Sequence, residues 1–298
     1  MPGLMQKPPV KHIRAALDII KELDAIKSHC TEAFDPSSQA AAENTVANRS
    51  GMDSKIDLVS IPGTRLHLHL KLYAAREHLL ACIYLVGSDA ERTLVNPIQA
   101  SARMALEAVA TCLWLCSNEI TWVERLRRHS QLHLQSTHTS LKEARLSLDA
   151  APHKPGIEEE IAELTAECAS LLDWVKERGW TCRRKNIAGK EPTVSTWVEE
   201  LPRPTELVKE GLAILPLPPE VIHGIYSVYS RSVHTDPVTV AGGTTEEDAL
   251  ARLSIAVGAT TNTLLMYELA WRLFASWCSV PYPEEAIRRL ITDLGPES

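Results

Sequence analysis

The sequence predicts an all-α protein, an antiparallel helical bundle with a proline-rich irregular connection before its C-terminal helices. Two observations carry that expectation. Apolar residues recur at spacings of three and four over long stretches, and no stretch alternates apolar with polar residues as a half-buried strand would. A third supports it, because glycine, proline and capping residues fall between the periodic stretches, where helices stop and start. With 298 residues and 45% apolar content, the chain can bury a substantial core.

Val10, Ile13, Leu17, Ile20 and Leu23 lie on one stripe of a first helix, so residues 1–34 read as an N-terminal helical segment. From Asp35 to Asp57 the periodicity gives way to small and polar residues, and 35–57 reads as a flexible loop. Residues 58–298 are expected to form a single bundle domain. Within it, Pro62 to Val86 reads as a helix with a wide apolar arc and Gly87 as its stop. Pro97 opens an apolar helix that reaches Cys116, and Ser117 or Asn118 is expected to cap a further one running towards Ala150. Ile157 to Arg178 follows, with Gly179 as its stop. The stretch LPRPTELVKEGLAILPLPPE is the proline-rich connection, with Thr205 as a candidate N-cap. A helix opened by Pro218 or Pro219 carries YSVYSRSVHTDP and closes at Asp236 and Pro237, since a residue before proline is biased out of helical geometry. A long apolar helix then runs from Thr245 to about Cys278, and a short one from Pro283 to Leu294 ends the chain.

Charge and cysteine usage narrow the classes of function. The net charge of −7 argues against a broadly electropositive surface for nucleic acid, so a phosphate site has to be local. Seven dispersed cysteines without a CxxC motif read as reduced thiols of a cytoplasmic protein. No membrane span is expected, because the best candidate, Ile98 to Cys116, carries Arg103 and Glu107 near its middle. Neither GxxxxGK[ST] nor GxGxxG nor GxSxG occurs, which excludes the common phosphate loops and the hydrolase elbow; no cofactor is called for.

Two polar features stand out of this apolar background. On a helix, Tyr226, Ser230 and His234 form one column, and His223, Ser227 and Arg231 its neighbour. That geometry brings the Ser230 hydroxyl towards the His234 imidazole, a group suited to general acid/base work, with Arg231 beside them to hold phosphate. The plainer reading is a helix end, where imidazole meets the dipole and Ser230 bonds back to the preceding turn. The second feature is Arg103 with Glu107, four apart among Met104, Leu106, Val109 and Leu113. Arginine before glutamate is the less favourable order for such a pair, so either both reach the surface along a polar stripe or they line an internal polar site.

The segments SARMALEAVA, ERLRRH and YSVYSRSVHTDP together resemble uncharacterised bacterial helical proteins akin to the HEPN superfamily (higher eukaryotes and prokaryotes nucleotide-binding), over about half of the chain. The resemblance implies a helical bundle, frequent homo-oligomerisation, nucleotide or RNA as partner and, in some members, metal-independent RNase activity. It carries His234 over as the candidate histidine; the polar site read from the residues themselves adds Ser230 and Arg231 beside it as catalytic candidates and Arg103, Glu107 and Tyr226 as substrate-binding ones. The family places its arginine several residues before its histidine, whereas here only Ser232 and Val233 separate Arg231 from His234. The alternative is a non-catalytic interaction or oligomerisation module.

Other constellations read more simply. His129 and His133 share one helical face at a metal-ligand spacing, but Ser130 stands where HExxH needs glutamate, so an exposed polar face is expected and no metal site. Cys112 and Cys116 read as packed thiols. Arg125, Arg127 and Arg128, and likewise Arg183, Arg184, Lys185 and Lys190, read as solvated charge near acidic neighbours such as Glu124 and Glu191.

Overall fold

A computed structural model describes residues 10–31, 35–51, 59–87, 95–151, 155–180, 203–213, 218, 220, 226–227 and 246–294. The protein is an all-α helical bundle, with nine helices and no strand among the described residues. They are α1 (Val10–Thr31), α2 (Gln39–Arg49), α3 (Ile61–Gly87), α4 (Val95–Cys116), α5 (Trp122–Ala150), α6 (Ile157–Glu177), α7 (Pro204–Leu212), α8 (Glu246–Cys278) and α9 (Glu284–Asp293). Among these residues no helix is long and apolar enough to cross a membrane.

Contacts divide the chain into two compact units, the first made of Met1–Ala41, Leu66–Asn118 and Arg203–Ser298, the second of Ala42–Arg65 and Glu119–Pro202. The residues expected to form one bundle, 58–298, are thus distributed over both. In the first unit α4 packs on α8 and α7, and α1 packs on α8 and α9. Small residues let the helices approach closely. A Cβ on Gly211 of α7 would fall 2.6 Å from the Met266 methyl and 3.1 Å from Leu113, so that position accepts no side chain without a shift of its neighbours. Along α8, Tyr267, Trp271, Phe274 and Trp277 make successive ring contacts, with centroids 5.9–6.3 Å apart. In the second unit α5 packs on α6. Its apolar cluster is Val59, Leu134, Leu141, Cys168, Leu171, Trp174 and Val175.

The segment 35–57, expected as a flexible loop, contains α2, and this expectation is corrected. Asp35 and Ser38 start the helix: the Asp35 carboxylate accepts from the Ser37 amide at 2.8 Å, and the Ser38 hydroxyl accepts from the Ala41 amide at 3.0 Å. Ala40, Glu43 and Ala47 then form its buried face. Alanine is the best helix former but gives a weak apolar signal, so a reading based on hydrophobic period passes over it. Two caps also shift. Thr121, not Ser117 or Asn118, caps α5, its hydroxyl accepting from the Glu124 amide at 3.2 Å. For α7 the cap is Arg203, with Pro204 in the first turn and the Glu206 carboxylate accepting from the Arg203 amide at 2.9 Å. Gly179 ends α6 at φ 71°, a left-handed conformation that favours glycine. Of the proline-rich connection, α7 is described and residues 214–217 lie outside the described set.

Candidate functional site

Arg103 and Glu107 flank the apolar face of α4. Ala102, Ala105, Leu106 and Val109 turn inward, which leaves positions 103 and 107 one above the other at the border of the buried face. The Arg103 Nε–H donates to Glu107 Oε1 at 2.8 Å, and the two side chains keep 19% and 23% of their surface exposed. Tyr226, from a helical position far along the chain, completes the group. Its hydroxyl donates to the same Glu107 oxygen at 2.8 Å, and the Arg103 guanidinium lies 5.5 Å from its ring centroid. Tyr226 is itself buried.

The electrostatics of the group are coherent. Burial alone would disfavour the Arg103 charge, but hydrogen bonding and attraction from Glu107, with the Tyr226 phenol, outweigh it and hold the guanidinium charged. Burial raises the Tyr226 pKa, opposed by a hydrogen bond with Thr205 and reinforced by the one to Glu107. The phenol therefore stays a donor at neutral pH. Thr205, from α7, is a member that the sequence pattern marked only as a cap.

Three of the six candidate site residues, Arg103, Glu107 and Tyr226, meet within this group. Ser230, Arg231 and His234 lie outside the described residues, as do Arg183, Arg184, Lys185 and Lys190.

A second polar cluster lies inside the second unit, where the sequence suggested an exposed face. Arg125 is wholly buried, and its Nε–H donates to Glu43 of α2 at 3.1 Å. His129 is buried as well, with Nδ1 3.0 Å from the Thr64 hydroxyl. His133 directs Nε2 at Glu167 of α6, 2.7 Å away. The expectation of an exposed polar face is therefore corrected for His129, and that of solvated charge for Arg125. The physical reason is partners: Glu43 and Thr64 come from segments that the sequence pattern left unpaired with α5. Arg127 and Arg128 do rest on Glu124, at 2.6 and 2.8 Å. Each imidazole of the His129 and His133 pair engages its own partner, and among the described residues no group of three His, Cys, Asp or Glu side chains is arranged to hold a metal ion.

Among the described residues Cys82, Cys112, Cys116, Cys168 and Cys278 are buried packing groups. Burial pushes the Cys82 thiol up to about 12 and raises the Cys112 and Cys168 thiols as well, which leaves little thiolate at neutral pH. The Cys82 and Cys112 thiols point at the carbonyls of Ile98 and Leu68.

No protein-family model, curated protein or solved structure matches this chain.

Proposed function

We propose that the protein is a HEPN-like helical protein that binds nucleotide or RNA phosphate at the polar group around Arg103. The observation that supports this is the meeting of Tyr226 with Glu107 across 119 residues of sequence. Such a site requires the arginine and carboxylate of an apolar helix to join the segment that also carries Ser230, Arg231 and His234. Glu107 fixes the Nε edge of the guanidinium, and the Tyr226 ring lies beneath it, so the cation has one orientation. A guanidinium carries five donors in a planar fork, which suits it to the paired oxygens of a phosphate. In the RNase form of this reading, His234 is the general acid/base, with Ser230 and Arg231 beside it, and no metal takes part.

The test is titration with a fluorescent adenine nucleotide and with mixed RNA in the presence of chelator, on the wild type, Arg103→Ala and His234→Ala. Arg103→Ala is expected to weaken binding at least tenfold, and His234→Ala to abolish cleavage while binding persists. Equal binding by wild type and Arg103→Ala overturns the phosphate site. Cleavage retained in His234→Ala, or absent from the wild type, overturns the RNase form alone.

A specific observation favours a second reading, the interaction module. Helix α3 is apolar on two opposite faces and exposes one of them: Leu66, Leu70, Tyr73 and Tyr84 are each between 45% and 66% exposed. A helix packed on one side ordinarily needs one apolar face, and the second is surplus to the core.

A further inference from the structure

We infer that the ligand of the polar group around Arg103 is a phosphate monoester, and that Glu107 selects it by accepting the hydrogen bond of its P–OH. The inference rests on the phosphate reading above and names the kind of phosphate that the site takes.

Glu107 uses its two oxygens unequally. Oε1 accepts both the Arg103 Nε–H and the Tyr226 hydroxyl, each at 2.8 Å. Oε2 accepts from no donor among the described residues, and it is not a buried atom, since 23% of the side chain is open to water. Two comparable pairs are closed. Glu124 takes Arg127 on both oxygens and Arg128 on one of them, and Asp24 takes Arg76 on both. At Glu107, by contrast, the two donors on Oε1 hold the carboxylate in place and leave its other oxygen as an oriented, accessible acceptor.

That open oxygen decides what the cation beside it can hold. Glu107 already balances the Arg103 charge, so net charge alone does not draw an oxyanion to the group. An oxyanion that reaches the guanidinium also meets the carboxylate bonded to it. Sulfate, a phosphodiester or a fully ionised phosphate brings only acceptors to Oε2, and like charge repels it. A phosphate monoester that carries its second proton brings a donor as well. Its P–OH meets Oε2 while its ionised oxygens meet Arg103, and a hydroxyl on a carboxylate is one of the strong, charge-assisted hydrogen bonds. Thr205, in the first turn of α7, hydrogen-bonds with Tyr226, which brings the amino end of that helix, favourable to negative charge, beside the group. Glutamine at position 107 would reverse this preference. Arg103 and Tyr226 both need its amide oxygen, so its amino group would stand where Oε2 is and donate to any phosphate oxygen.

Calorimetric titration of the full chain tests this at about pH 6, where a phosphate monoester carries its second proton about half of the time. The probes are adenosine 5′-monophosphate, its 3′,5′-cyclic diester, and one RNA oligomer with either a 5′-phosphate or a 5′-hydroxyl. The wild type is expected to bind the monoester in preference to the matching compound without one, by roughly tenfold or more, the worth of one charge-assisted hydrogen bond. Preference within the nucleotide pair, the oligomer pair or both supports the inference and tells a free nucleotide from an RNA end as the source. Glu107→Gln, with helix content checked by circular dichroism, is expected to shrink the preference to about threefold or less, chiefly by binding the diester better. Equal wild-type affinity for monoester and diester, or a full preference retained in Glu107→Gln, overturns the selection by Glu107. If Arg103→Ala still weakens binding in that case, the phosphate reading stands without it. A wild type that binds none of the four compounds, or an Arg103→Ala variant that binds them as the wild type does, overturns the phosphate reading and this inference together.

Discussion

Two arginine–glutamate pairs, one in each unit, share a chemistry and differ in access. Arg125 and Glu43 are 3.1 Å apart with 0% and 8% of their side chains exposed; Arg103 and Glu107 are 2.8 Å apart with 19% and 23% exposed. The first pair has been removed from water almost completely, so each charge depends on protein partners, the other among them, for its solvation. The second keeps water within reach of both partners. A pair of the first kind shapes a fold and meets no solute. A pair of the second kind is held in one orientation and is still accessible, which is what recognition of an anion requires.

Deleting each carboxylate should separate the two roles. Glu43→Ala takes a carboxylate away from a buried cation and is expected to destabilise the protein by about 3–5 kcal/mol. Glu107→Ala leaves Arg103 an outlet to water and is expected to cost about 1–2 kcal/mol. Urea unfolding measures both, and Glu43→Leu combined with Arg125→Met should recover most of the first loss because apolar groups of similar size need no partner. Equal losses at the two sites would break the comparison.

A third group sharpens it from within the first unit. Tyr282 donates to Glu268 at 2.7 Å, and Arg272 stands 3.7 Å from the same oxygen with half of its side chain exposed. The composition repeats that of Tyr226, Glu107 and Arg103, but here the carboxylate is the buried member and the arginine is loosely attached. Burial, together with the neighbouring Glu268 charge, drives the Tyr282 pKa well up. Removing each hydroxyl should therefore hurt unequally: Tyr282→Phe is expected to cost about 1–2 kcal/mol and Tyr226→Phe about 0.5–1 kcal/mol. A larger loss at Tyr226 in thermal unfolding would make that group the structural clasp and Tyr282 the accessible one.

Much of this scaffold was legible in the sequence. Periodicity located α1, α3, α4, α5, α6 and α8, and Gly87 and Gly179 stand where those stops were expected. What it could not supply were partners. Arg125 and His129 look like surface residues until Glu43 and Thr64 are set beside them, and Glu43 sits on α2, whose alanines give too little hydrophobic contrast to mark a helix. Arg103 and Glu107 were visible because charge inside an apolar run is conspicuous. Their junction with Tyr226 was not, since helical spacing says which residues share a column and nothing about which distant column they meet. The outward face of α3 was hidden for the opposite reason, as a wide apolar arc on a sequence does not say which part of it stays uncovered.

Mild acid offers the finest test of the difference between the units, through a neutral group rather than a charged pair. His12 of α1 is buried, with Nε2 2.9 Å from the Thr261 hydroxyl of α8, and burial lowers its pKa against a smaller opposing contribution from the backbone of Leu294. Above the ordinary value of 6.5 the imidazole is neutral both folded and unfolded, and the full stability is present. As the pH falls below 6.5 the unfolded chain takes up the proton first, so stability is lost until the folded pKa is passed. His12→Gln removes that proton linkage. It is expected to lower stability by about 0.5–1.5 kcal/mol at pH 8 through the altered hydrogen bond, and to flatten the further decline between pH 7 and 5. Amide hydrogen exchange resolves where this occurs: in acid, protection in α1 and α8 should fall less in the variant than in the wild type, while the response of α5 and α6 stays the same in both. An unchanged pH slope in α1 and α8 would mean that His12 carries no linkage and that the acid sensitivity of the first unit has another origin.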